Sequence, residues 1–277
     1  MQARGRVALA GAALVVGGLL AWGLRAQPAG EPVRPDDAPS ASAERDRIAV
    51  AELPRCPDRP EPAELGVKLR LKLHLGAGVD PVRAHEILSA ARRYWQPYAV
   101  EVEQVGESER LELRSLFGAS FSELEQLDEE ALGDALYGPL RELISSQAQP
   151  PRALIHVVVL EDIVEGRAAA AAVLGDLVGL TLAPQLLSEV EPEDPRARIV
   201  AQLGLEAFDA TVLLSERHLR RLEGVGFVGA VAHELGHALG LEHHDERHNL
   251  MARGRHLCLP GLDEAQVEAL RERSSAP

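Results

Sequence analysis

Residues 231 to 243 of this 277-residue chain read Val-Ala-His-Glu-Leu-Gly-His-Ala-Leu-Gly-Leu-Glu-His. His233 and His237 stand four positions apart, so on a helix of 3.6 residues per turn both imidazoles leave one face and can hold a single metal ion. Gly240 can end that helix, because glycine takes the left-handed conformation that turns a chain back, and the turn would bring His243 to the same point. Three neutral imidazoles leave one tetrahedral position of a zinc ion open, as in catalytic rather than closed structural sites. Glu234 sits beside a ligand on the same helix, placed to take a proton from an attacking water and return it to a leaving amine. These residue types at this spacing imply metal-assisted amide hydrolysis, with one Zn2+ on His233, His237 and His243 and with Glu234 as general base.

The pattern His-Glu-x-x-His-x-x-Gly-x-x-His is met at every fixed position from His233 to His243, and Asn249-Leu250-Met251 follows. On these residues the chain resembles the metzincin metallopeptidases, and the spacing to Met251 is similar to that of the matrixin branch. The resemblance implies an α+β catalytic domain with a twisted mixed β-sheet, an active-site helix, a methionine turn at Met251 beneath the metal, and a C-terminal helix. It implies an endopeptidase whose polypeptide substrate adds as a strand along a sheet edge. Astacin-like members place a tyrosine two residues after the methionine, where this chain has Arg253. Two other readings compete. A catalytically silent zinc-binding recognition module would not need Glu234, and an archaemetzincin-like aminopeptidase would carry a cysteine cluster for a second zinc. The acidic run Glu191-Pro192-Glu193-Asp194-Pro195 lacks the alternating oxygens and central glycine of a calcium loop and reads as a solvated turn. Neither structural calcium nor a second zinc is expected, since His156 stands alone in an apolar stretch.

Arg4 and Arg6 precede the uncharged apolar run Val7 to Leu24, the layout of a signal peptide or N-terminal membrane anchor over residues 1–26. The chain is therefore expected to be secreted or membrane-anchored, with its catalytic part outside the cytoplasm. Residues 27–52 are rich in Pro, Ala, Ser, Asp and Arg without an apolar period and read as a disordered linker or short pro-segment. Residues 53–277 form the expected zinc peptidase domain. A net charge of −14 argues against a nucleic-acid partner.

Within that domain, Leu65 to Leu75 alternates apolar odd positions with Lys68, Arg70, Lys72 and His74, predicting a half-buried strand with His74 on the solvent side. Asp80-Pro81 caps a helix whose stripe is Val82, Ala84, Ile87, Leu88, Ala91 and Trp95. Val100 to Val105 predicts a second strand, and 106–150 an acidic helical insertion with Phe117, Phe121, Leu124 and Leu127 on its apolar faces. Ala153 to Leu160 reads as a strand buried on both faces, with shorter strands at Leu177 to Leu182 and Ala210 to Leu214. Phe227, Val228, Val231, Leu235 and Leu239 supply the buried stripe of the active-site helix, and Asp263 with Gln266 forms a capping box opening a last helix to about Arg273.

Cys56 and Cys258 are the only cysteines. A disulfide is the first reading of an even count in an exported chain. Pro54-Arg55-Cys56-Pro57-Asp58 also resembles the matrixin cysteine switch, and a free thiol is the third reading. His244, His248 and His256 read as rim or surface residues and Asp245 as a hydrogen-bond acceptor behind the metal ligands.

Overall fold

The computed structural model describes residues 53–57, 62–115, 138–139, 141–146, 153–163, 178–183, 209–254 and 256–274. The expected leader at 1–26, the linker at 27–52, the acidic turn at 191–195 and most of the insertion, including Phe117, Phe121, Leu124 and Leu127, lie outside the described residues. No helix among the described residues is long and apolar enough to cross a membrane.

In chain order the elements are β1 (Lys68–Leu75), α1 (Val82–Trp95) with a 3-10 turn (Gln96–Tyr98), β2 (Glu101–Gln104), β3 (Glu109–Arg110), β4 (Ile155–Leu160), β5 (Gly179–Leu182), β6 (Ala210–Ser215), α2 (Glu216–Leu219), α3 (Val225–Ala238) and α4 (Glu264–Ser274). The sheet runs β2-β1-β4-β6-β5, with β3 pairing the far end of β1. Its pairs are parallel except β5, which runs antiparallel to β6 at the edge. This is the mixed α+β architecture that the motif implied.

Central parallel strands have both faces covered, so they favour unbroken apolar runs. All six residues of β4 and all six of β6 are buried. Along β1, Leu69, Leu71, Leu73 and Leu75 join a core with Ile87, Ala91 and Trp95 of α1 and Val231 and Leu235 of α3. Val82, expected in the α1 stripe, is instead 58% exposed at the helix start. Asp80 does cap that start, its Oδ1 accepting from Val82 N at 2.9 Å.

Three expectations need correction. His74 is buried, not on a solvent face, because the polar side of β1 is also covered at that end of the strand. His156 is not alone: its Nδ1 lies 3.0 Å from His74 Nε2, and the two rings stack. Lys72 Nζ, at 2.7 Å, neutralises Glu109 beside His74 Nδ1, while Asp209 Oδ2 stands 3.6 Å from His156 Nε2. The 106–150 insertion opens as a strand rather than a helix, since Glu109–Arg110 pairs with His74 and Leu75. Its residues 141–146 are helical.

Cys56 and Cys258 form a disulfide. With its sulfur so bonded, Cys56 is not available to the metal ligands, and the cysteine-switch and free-thiol readings fall. The bond is framed by main-chain hydrogen bonds from Cys56 N to Leu259 O (3.0 Å) and from Leu259 N to Pro54 O (2.7 Å).

Candidate metal centre

The helix α3 carries glycine at Gly226, Gly229 and Gly236, and helix propensity alone would not sustain such a segment. Packing does: twelve of its fourteen residues are buried. A Cβ on Gly236 would stand 2.6 Å from Met251 Sδ, so the missing side chain is what lets the methionine close against the helix from below. Met251 is wholly buried there.

The helix ends as the sequence predicts. Gly240 has φ +83°, its N–H bonds His237 O at 2.8 Å, and the N–H of Leu241 bonds Gly236 O at 2.9 Å, the paired bonds of a Schellman turn. A side chain at Gly240 would also overlap the Arg273 guanidinium, which donates to Leu239 O. The chain therefore doubles back and brings His243 to the two helical imidazoles.

His233, His237 and His243 converge, their ligand atoms all lying within 4.8 Å of one another. Each helical imidazole has its Nδ1 committed to a main-chain carbonyl, His233 to Leu250 O at 2.8 Å and His237 to Leu241 O at 2.7 Å. A ring that donates through Nδ1 presents a bare lone pair at Nε2. His237 Nε2 and His243 Nε2 are 3.3 Å apart. Two nitrogens bound tetrahedrally at about 2.05 Å from zinc would be separated by roughly 3.3 Å, so the donor set fits that ion. Burial first, then mutual repulsion, holds all three rings neutral, with pKa values near 3 for His233, 4 for His237 and 3 for His243.

Glu234 is buried beside the ligands, and burial raises its pKa to about 7, partly offset by a hydrogen bond from Thr181. Thr181 Oγ1 lies 2.6 Å from Glu234 Oε2. A carboxylate with that pKa is matched to accepting and returning a proton near neutrality.

No family model matches the chain, and no curated protein matches it. Among solved structures it is similar to metalloproteinase-II from Bacteroides fragilis, at 13% identity and TM-score 0.42 over 79% of this chain. That match spans 56% of the Bacteroides chain. It is also similar to a zinc-dependent peptidase from Methanocorpusculum labreanum, at 16% identity and TM-score 0.39, covering 72% of this chain and 99% of that one. A third is archaemetzincin from Methanopyrus kandleri, at 15% identity and TM-score 0.34, covering 74% and 94%.

Of the remaining expected site residues, Asp245 is exposed, and the acceptors behind His233 and His237 are the carbonyls of Leu250 and Leu241. His244 bonds through its main chain, N to Met251 O at 2.9 Å, and its Nε2 lies 3.3 Å from Asp263 Oδ2. His248 stands against the Cys56–Cys258 pair instead of the metal ligands. His256, expected at the rim or surface, is buried with its Nε2 3.2 Å from Leu250 O, the carbonyl that also serves His233. Its position over Gly229, whose absent side chain leaves room for the ring, is the sequence signal that goes unread. Thr181 and Gly179 were missed entirely, because a short edge strand carries no motif.

Proposed function

We propose that this chain is a zinc-dependent endopeptidase of the metzincin type that acts on polypeptides outside the cytoplasm, secreted or tethered by residues 1–26. The observation that carries the reading is the 3.3 Å separation of His237 Nε2 and His243 Nε2 with Glu234 beside them, a donor set matched to zinc with a base in place. Zinc, when bound by His233, His237 and His243, supplies a Lewis acid that polarises the scissile carbonyl and acidifies water. Glu234 takes the water's proton and gives it to the leaving amine, so that the base is regenerated with each turnover. The antiparallel edge strand β5 favours an extended substrate, since among the described residues β6 alone pairs with it and its other side can accept a further strand. The retained Glu234 speaks against a silent recognition module, which has no use for a buried base.

The test is digestion of a broad peptide library by the full chain with zinc, with chelator and as Glu234→Ala, read by mass spectrometry. Internal cuts that vanish in both controls are expected. Release of single residues from peptide N-termini would replace the endopeptidase by an aminopeptidase, and one bound zinc without any cleavage would leave the recognition module.

A further inference from the structure

We infer that Thr181 of the edge strand β5 is the positioning residue for Glu234, and that Gly179 is the companion that makes room for it. This inference rests on the peptidase reading above.

Residues two apart on a strand face the same side, so Gly179 and Thr181 both address α3. Both meet the same carboxylate. A Cβ at Gly179 would lie 2.6 Å from Glu234 Cγ and Cδ and 2.7 Å from Oε1, so any side chain there would drive the carboxylate out of its place. Thr181 Oγ1 lies 2.6 Å from Glu234 Oε2 and 3.1 Å from Glu234 O. Glu234 is thus held between bare backbone on one side and a hydroxyl on the other.

The two distances define how the hydroxyl works. One O–H hydrogen can serve one acceptor at a time, and against an ionised carboxylate it goes to Oε2, the nearer and charged acceptor. That bond fixes one carboxylate oxygen and leaves Oε1 to receive the water's proton. When Glu234 holds that proton on Oε1, Oε2 is still an acceptor, so the hydroxyl keeps its bond to Oε2 at 2.6 Å. The same side chain then satisfies the base before and after proton transfer, with no movement of α3. Because Thr181 sits on the strand that a substrate would extend, the base is referenced to the edge on which the scissile bond is laid.

Thr181→Val keeps the shape and removes the hydroxyl; Thr181→Ser restores it. Zinc content, thermal unfolding and steady-state kinetics would be measured for the full chain and both variants on one cleaved peptide. A hydrogen bond to a charged group corresponds to a loss of roughly 10- to 100-fold. The expected result is that loss in kcat for Thr181→Val, KM within twofold, unchanged zinc content, and recovery of most of kcat by Thr181→Ser. Isotope-edited infrared spectra, with the Glu234 carboxylate band identified through Glu234→Gln, should shift in Thr181→Val and return in Thr181→Ser without any substrate. A Thr181→Val enzyme with full kcat, or an unchanged carboxylate band, overturns the positioning role while the peptidase stands. A wild-type chain that binds zinc and cleaves nothing overturns the peptidase reading, and the inference with it.

Discussion

Arg273 Nη1 in the last helix donates to the main-chain carbonyl of Leu239, the residue that closes α3, the helix carrying His233 and His237. The charge lies at the negative end of α3 and covers a carbonyl that the Schellman turn leaves over. Arg273→Ala is therefore expected to lower stability by about 1 kcal/mol, the size of an exposed helix-end contact, and to weaken zinc binding through a looser turn at Gly240. Urea unfolding and zinc titration of the variant would check both effects. Unchanged zinc affinity would mean that the turn holds without α4.

Gly240→Ala should be the more damaging change. It places a Cβ in a left-handed backbone and against Arg273 at once. A loss of about 2 kcal/mol or more is expected, together with loss of His243 as a ligand. Zinc stoichiometry measured after gel filtration would show it.

Metal removal is predicted to lower the melting temperature. Zinc bound to the folded chain at roughly a thousandfold over Kd contributes about 4 kcal/mol, and His243→Ala should abolish most of that difference between zinc-loaded and chelator-treated protein. Calorimetry with and without chelator would decide it.

The disulfide closes a loop of 202 residues, which in the chain-entropy model stabilises the fold by about 5 kcal/mol. Cys258→Ser should therefore unfold at far lower denaturant. A midpoint shift equivalent to less than about 1 kcal/mol would show that the segment around Leu259 is held by its main-chain bonds alone.

The buried pair His74 and His156 predicts acid sensitivity. Burial, then the neighbouring His156, lowers the pKa of His74 from 6.5 to about 4, and burial lowers that of His156 as well. A base with a depressed folded pKa is neutral in the native state, so its contribution is intact above pH 6.5. It is lost as pH falls from 6.5 towards about 4, where the loss levels off. For His74 the total is at most about 3 kcal/mol, taken as 1.36 kcal/mol per pKa unit. Urea midpoints of wild type and His74→Gln across pH 4 to 7 should diverge in that window, with the variant falling less steeply.

Some of this molecule is legible in its residues alone, and the reason differs from place to place. The capping box shows both of its reciprocal bonds, Gln266 N to Asp263 Oδ1 at 2.8 Å and Asp263 N to Gln266 Oε1 at 3.1 Å, since both partners are three residues apart. The convergence of His233, His237 and His243 and the turn at Gly240 are readable for the same reason: they lie within one short segment of chain. The burial of His74 is not legible, because a period of two tells which side of a strand a residue occupies and says nothing of what covers that side. Thr181 and the carbonyl of Leu250 escaped altogether. Their bonds to the site join residues 53 and 17 positions apart, and neither belongs to a pattern that a linear reading can weigh.

Pro54 to Cys56 is fastened to Cys258 and Leu259, seven and eight residues beyond Met251, before the chain enters β1. In mechanical terms the chain is pinned to the segment after the methionine turn before it reaches the sheet. Tension applied to the chain ahead of residue 53 would meet the disulfide and the bonds to Leu259 before it reached the first strand.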